Sequence, residues 1–205
     1  VAATTGRAAR AAANAIVVEY EVLPHVLTVD EAMAPDAPIL HQNLRTRGAE
    51  KETDEPTNVS LRTFFQKGNL EVGFAEADVV IEREFTTKVV HQGYIEPHAA
   101  IADTGQDGRS TIWCSSQGHF KVRTATASIL GWESSKLKVI PAEIGGGFGG
   151  KTNIYLEPLA VLLSQKAARP VRIVMNRTDV FRATGPTPGS KIRVRIGARE
   201  DGTIT

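Results

Sequence analysis

The run Gly145-Gly146-Gly147-Phe148-Gly149-Gly150-Lys151-Thr152 concentrates more chemical potential than any other stretch of this chain. Three glycines before a lone aromatic and two after it let main-chain amides approach a bound group closely on either side of Phe148, because no Cβ stands in the way. Three readings are open. The run satisfies G-x-x-x-x-G-K-[ST], the pattern of a phosphate-cradling loop, with Lys151 and Thr152 in the reactive places and an apolar strand in front. It could instead be a tight turn between strand and helix that holds no ligand. The third reading joins it to Ser115-Ser116-Gln117-Gly118, where a strand gives way at once to a helix. Gln117 would then sit at the positive end of that helix, its amide donor projecting past the sheet edge toward an oxo or phosphate oxygen. Against the phosphate loop stands Pro158, which would fall in the second turn of a helix begun at Lys151 and cost about 3 kcal/mol. Nor does an apolar run end in an acidic Mg²⁺ ligand, since Val171 to Met175 leads into Asn176 and Arg177.

Other candidates carry less. His91, His98 and His119 have no compact ligand spacing and read as neutral hydrogen-bonding or surface histidines. Glu96, before Pro97, reads as structural rather than as a general acid. Arg169, Arg172 and Arg177 read as a solvated face from which a cofactor phosphate could recruit one. Cys114 lies in an apolar strand and reads as inert packing.

The elements that must position these residues are those of a chain of 205 residues, 41% hydrophobic, long enough for one ordinary domain or two small ones. Its 24 basic and 23 acidic residues give a net charge of +1, which argues against a nucleic-acid or anionic-membrane partner. A single cysteine suits a reducing compartment and can hold neither an internal disulfide nor an iron–sulfur cluster. With no apolar run of membrane-spanning length and no signal peptide, a soluble, cytoplasmic protein is expected. The ends look cut: the chain starts at Val1, without Met, in a Val-Ala-Ala stretch, and stops soon after the hairpin signal Glu200-Asp201-Gly202. It therefore reads as an excerpt of a longer polypeptide.

Gly6 to Ala15 favours a helix and Ile16 to Val22 a strand, while Pro35 to about Asn69 is proline-rich and charged, with few residues for a core. Beyond it, Asp78 to Thr86 reads as a strand, and Ala99 to Asp103 pairs with Ser110 to Ser115 across Gln106-Asp107-Gly108. Phe120, Val122, Ala125 and Ile129 recur at helical spacing, with Ser115 and Ser116 as caps and Gly131 as the stop. Leu137 to Ile144 is a strand running into the glycines, and Glu157 to Ala168 a helix with Pro158 in its first turn. Strands at Val171 to Met175 and Ile192 to Ile196 complete a mixed pattern without βαβ regularity, which gives an α+β class.

Taken together, these residues resemble the molybdopterin-binding large subunit of the xanthine dehydrogenase and aldehyde oxidase family, the molybdenum hydroxylases. The resemblance rests on Val17, Glu19-Tyr20-Glu21 and Leu23-Pro24; on Ala77-Asp78-Val79-Val80; and on His91-x-x-Tyr94-x-Glu96-Pro97-His98. It continues through Trp113-x-x-Ser116-Gln117-Gly118, Lys138-Val139-Ile140 and Gly145 to Lys151, and so spans essentially the whole chain. It implies residues 1–38 as the end of an α/β hammerhead domain, 39–69 as a connector, and 70–205 as the first part of a molybdopterin-binding domain.

The same resemblance implies oxidative hydroxylation of an aldehyde or N-heteroaromatic substrate with oxygen taken from water. Molybdenum would be held by the dithiolene sulfurs of a pterin, in mono- or dinucleotide form, so no protein metal ligand is required. Gln117 would donate to the apical oxo of molybdenum, with Gly118, Gly146, Gly147, Phe148 and Gly149 contacting the cofactor, and Phe148 and Thr152 facing the substrate pocket. Purine-oxidising members carry glutamate where Thr152 stands, which disfavours xanthine. The family's general-base glutamate would lie beyond Thr205, so the chain alone is expected to be inactive. Iron–sulfur and flavin domains or subunits would remove the electrons, and a purely structural or assembly role beside them is the alternative.

Overall fold

The computed structural model describes residues 5–51 and 53–205, so the Val1-Ala2-Ala3 stretch lies outside the described residues. The chain divides into two compact units, Val1–Ala75 and Glu76–Thr205.

In the first unit, helix α1 (Gly6–Asn14) starts at Thr5, whose hydroxyl accepts from the Ala8 amide at 3.1 Å. Helix α2 (Val29–Met33) opens on a capping box in which Thr28 and Glu31 satisfy each other's backbone amides. Residues 16–22, expected as a strand, pair with nothing among the described residues. Ile16, Val17, Val18, Tyr20 and Val22 are all exposed. β-branched composition expresses a fit to a half-buried pleated surface, and without a partner strand it makes no ladder. The proline-rich stretch is held by side chains: the Asn58 amide donates to the carbonyls of Ala32 and Pro38, each at 3.1 Å. Helix α3 (Leu70–Ala75) closes this unit.

The second unit carries strands β1 (Val79–Thr87), β2 (Ala99–Thr104) and β3 (Ser110–Cys114), then helix α4 (His119–Leu130) and strand β4 (Leu137–Pro141). Helix α5 (Glu157–Ala167), strand β5 (Val171–Val174), helix α6 (Arg177–Ala183) and strand β6 (Ser190–Ala198) follow. Strands β1 and β6 form an antiparallel ribbon in register from Val79 opposite Ala198 to Thr87 opposite Ser190. The other four make a mixed sheet in the order β4-β3-β2-β5, antiparallel except for β3 and β4. The α+β class expected from the sequence is the one observed.

One face of this sheet is covered. Ala100, Ala102, Ile112 and Cys114 point into a core with Val122 and Ala127 of α4 and Ala160 and Val161 of α5. On the other face Ile101 and Trp113, directly paired, each remain 37% exposed. Alternation along β2 and β3 therefore sorts the side chains as a period of two requires. In α4 the buried face is Val122, Thr126 and Ala127, whereas Phe120 and Ile129 are exposed. The expected spacing thus found the helix but mixed residues of two faces. Its N-cap is Gly118 with no side-chain cap, and the Ser116 hydroxyl instead accepts from the Gly118 amide at 3.0 Å. Gly131 ends the helix in the left-handed region at φ 66°, as expected.

The parallel pairing of β3 and β4 positions the site. Because the two strands run the same way, with Cys114 beside Pro141, both of their C-terminal loops leave the same end of the sheet. The Ala142 amide continues the ladder to the Cys114 carbonyl at 3.0 Å. Ser115-Ser116-Gln117-Gly118 and Ala142 to Lys151 are therefore neighbours by topology, at the end of a sheet where open α/β architectures place ligands.

Candidate functional site: a glycine loop gripped by Gln117 and Glu96

Gln117 and the glycine loop meet directly. The Gln117 Oε1 accepts from the Gly149 amide at 3.0 Å and from the Lys151 amide at 3.2 Å, and the Gln117 amide donates to the Lys151 carbonyl at 3.0 Å. Two backbone N–H groups on one oxygen fix which end of the carboxamide is carbonyl. The Nε2 is thereby turned away from the loop, and no protein atom among the described residues accepts from it. The result is a pre-oriented N–H₂ on an exposed residue at the start of α4, next to Gly118.

The glycines make this approach possible. A Cβ on Gly147 would lie 2.5 Å from Gln117 Oε1 and 2.7 Å from its Cδ, so any side chain there would push the carboxamide out of place. Gly149 adopts φ 88°, open to glycine at little cost, and a Cβ on Gly146 would touch the Phe148 ring and Tyr94 at 3.3 Å. Phe148 itself has φ 48°, an uncommon conformation for an aromatic residue, and its side chain stands out, 72% exposed. With Gly149, Gly150, Gln92, Asn153 and Tyr155, Phe148 lines a cleft of about 360 Å³ whose far wall is the segment Gly185 to Pro188. Gln117 does not line this cleft. The Thr152 hydroxyl donates back to the Gly149 carbonyl at 2.7 Å.

Below the loop lies a polar cluster. Lys151 is buried, its side chain 0% exposed, and its Nζ donates to Glu96 Oε2 at 2.5 Å and stands 5.1 Å over the Tyr94 ring. The same Glu96 oxygen accepts from the Gly145 amide at 2.7 Å. Burial works against ionisation of Glu96, but hydrogen bonds from Lys151 and the Gly145 amide, with the Lys151 charge, hold its carboxyl below the usual range. The Tyr94 hydroxyl bridges His98 Nε2 at 2.7 Å and Thr184 Oγ1 at 3.3 Å, and His91 Nε2 reaches the same Thr184 oxygen at 2.9 Å. The Thr184 hydroxyl is spent on the Val180 carbonyl at 2.6 Å, so His91 Nε2 donates to it, while His91 Nδ1 accepts from the Gly93 amide at 3.1 Å. His91 is thereby a neutral Nε2–H tautomer. Burial first, then the Lys151 charge, pushes His98 down to about 4.

These contacts bear on several of the sequence readings. Lys151 is committed to Glu96 below the loop, and the next helix begins at Glu157 with Pro158 in its first turn, so the phosphate-loop reading fails. Glu96, expected to be structural, accepts from the Gly145 amide and the Lys151 ammonium. His119 packs on Phe120, apart from the network that engages His91 and His98. Among the described residues no cluster of three histidine, cysteine or acidic side chains could hold a metal. Cys114 is inert: burial, with the Glu157 carboxylate beside it, pushes the thiol up to about 12. Arg177, expected in a solvated face, instead caps the carbonyls of Tyr94 and Ile95. The sequence did carry a local signal for its position, the Asn176-x-x-Asp179 capping box that opens α6. Gln92, Asn153 and Tyr155, which line the cleft, had no signal in the sequence beyond residue type.

The site is thus an outward amide beside a glycine-rich bend that carries Phe148, above a polar support anchored on buried Lys151. Residues 51–205 match the molybdopterin cofactor-binding domain, and the chain belongs to that family. Among relatives, it is 32% identical over 230 residues to the probable hypoxanthine oxidase XdhD of Escherichia coli (strain K12), covering 100% of this chain and 24% of that protein. It is 28% identical over 204 residues to the nicotinate dehydrogenase large molybdopterin subunit of Eubacterium barkeri, covering 100% of this chain and 45% of that one. Among solved structures, the aldehyde oxidoreductase of Desulfovibrio gigas superposes with a TM-score of 0.80 at 28% identity, covering 98% of this chain and 21% of that one. Quinoline 2-oxidoreductase of Pseudomonas putida 86 superposes with a TM-score of 0.76 at 26% identity, covering 98% and 24%. The chain thus spans 21% to 45% of the length of the relatives named. No described helix is long and apolar enough to cross a membrane.

Proposed function

We propose that this chain forms part of a molybdopterin-dependent oxidoreductase that hydroxylates an aldehyde or N-heteroaromatic substrate with water-derived oxygen. The observation that carries the proposal is the Gln117 carboxamide, its carbonyl consumed by the Gly149 and Lys151 amides and its Nε2 left as an oriented donor. The residues fit the cofactor: a neutral donor, bare main chain at Gly146, Gly147 and Gly149, and an exposed aromatic suit a group rich in oxygen and sulfur that brings its own metal ligands. When bound, that cofactor would supply the two-electron oxidation.

The protein's contribution is positional. Gln117 offers a donor fixed before the cofactor arrives, so no reorganisation accompanies charge changes, and Gly118, its amide held by the Ser116 hydroxyl, contributes close main-chain approach rather than a donor. The Phe148 ring and the Gly147 to Gly149 backbone exclude water from one side of the bound group. In this reading Phe148 and Thr152 face the substrate side, with Thr152 held by its bond to Gly149. The same proposal assigns residues 1–38 to the end of a hammerhead domain, 39–69 to a connector and 70–205 to the molybdopterin domain. It places the protein in the cytoplasm with iron–sulfur and flavin partners, and expects no turnover from the chain alone.

The test is Gln117→Ala in the cofactor-loaded enzyme containing this chain. Bound molybdenum or turnover is expected to fall at least about tenfold, the loss of one oriented donor. Parent-like content and turnover would remove the reading.

A further inference from the structure

The ion pair below the loop, its lysine buried and its glutamate side chain 32% exposed, poses a physical question. Lysine is costly to bury, and a buried pair is seldom more stabilising than apolar side chains of the same volume. Its geometry supplies a reason other than stability. One Glu96 oxygen holds both ends of the Gly145 to Lys151 loop, the Gly145 amide at 2.7 Å and the Lys151 ammonium at 2.5 Å, and the Glu96 amide returns a bond to the Gly145 carbonyl at 3.3 Å. Lys151 in turn grips Gln117 twice through its backbone, donating to Oε1 at 3.2 Å and accepting from the Gln117 amide at 3.0 Å. Lys151 is therefore one rigid link with its head in Glu96 and its main chain in Gln117. A loop with five glycines has too much backbone freedom to hold a carboxamide without such a pin at its base.

We infer that the Glu96–Lys151 pair is a positioning clamp: it fixes the glycine loop so that the Gln117 carboxamide presents its Nε2 outward in one orientation. The inference rests on the reading of Gln117 given above and deepens it, adding two positioning residues that touch no ligand. The Tyr94 ring, 5.1 Å from the Lys151 ammonium, completes the seat.

The experiment compares three full chains: the parent, Glu96→Gln/Lys151→Met and Lys151→Met. The double variant removes both charges at nearly constant volume, so it leaves no unpaired buried ion and its global stability in denaturant is expected to match or exceed the parent's. Hydrogen exchange at the Gly149 and Gln117 amides, both bonded within the clamp, is expected to quicken about tenfold or more, while core amides at Ala127 and Val161 keep parent rates. Exchange at Gly149 and Gln117 within about twofold of the parent overturns the clamp. So does a rise shared equally by the core amides, the signature of a merely structural pair. Lys151→Met alone leaves Glu96, its side chain 32% exposed, still bonded to the Gly145 amide, and guards against failure of the double variant to fold. It is expected to quicken the same two amides about threefold, and an unchanged rate again contradicts the inference. Molybdenum content in Gln117→Ala reports separately: parent-like content would remove Gln117 as a cofactor contact and leave the exchange result standing.

Discussion

The base and the tip of the glycine loop are built on opposite physical terms. At the base, Lys151 is 1% exposed and bound through head and backbone, whereas at the tip Phe148 is 72% exposed, with a strained φ of 48°. Only side-chain restraint at the base, from Glu96 on the Gly145 amide and the Lys151 ammonium, lets a flexible, side-chain-poor tip hold one shape. Rigidity and access are thus separated along a few residues. The base determines where the Gln117 amide points, and the tip determines what can come near it.

The largest effect should come from breaking the base on one side. Lys151→Ala leaves Glu96 without its buried partner and opens a cavity, and should cost about 3 kcal/mol of unfolding free energy in denaturant. A cost below about 1 kcal/mol would show the base to be no more constrained than the tip.

The buried network should also give the base a pH signature. His98 is held down to about 4 by burial and the Lys151 charge, so the unfolded chain, with an ordinary histidine, binds the extra proton first. Stability should be flat on this account above about pH 7 and should fall as pH drops from about 6.5 to 4, by up to about 3 kcal/mol. Glu96 adds to the loss lower down: its carboxyl lies below 4.5, so its contribution is present above that value and disappears as pH falls through the folded one. In His98→Asn, unfolding titrations should lose the upper part of this slope, and a slope unchanged by the substitution would assign it elsewhere.

Two glycine substitutions then separate contact from conformation. Gly147→Ala places a Cβ against the Gln117 carboxamide and should cost about 2 kcal/mol while displacing that side chain. Gly149→Ala has open space around it and pays only for its φ of 88°, about 1 kcal/mol. The smallest effect is expected at the tip, where Phe148→Ala should change stability by about 0.5 kcal/mol or less. Thermal or denaturant unfolding of the three variants ranks them, and the reverse order would overturn the assignment of rigid base and free tip.

The sequence was informative where residue types are rare or local. The glycine loop, Gln117 at a strand-to-helix junction and the Gly131 stop could be located because each is a short local pattern, although the loop alone left three readings open. Gly202 likewise turns at φ 86°, with the Arg199 amide closing on the Thr203 carbonyl at 2.9 Å. What escaped reading depends on partners far along the chain. Lys151 meets Glu96 across 55 residues, and His91 meets Thr184 across 93, with no local pattern in either case. Ile16 to Val22 misled for the same reason, since propensity cannot supply a missing neighbour. Phe120 and Ile129 misled because helical spacing marks a helix more surely than it marks the covered face.

An experimental structure of the cofactor-loaded protein bears most directly on the central claim, through the distance from Gln117 Nε2 to the nearest cofactor atom. The account predicts a hydrogen bond of about 3 Å there, with Gln117 Oε1 still bonded to the Gly149 amide. A cofactor seated away from Gln117, or a carboxamide flipped to present its oxygen, would contradict it.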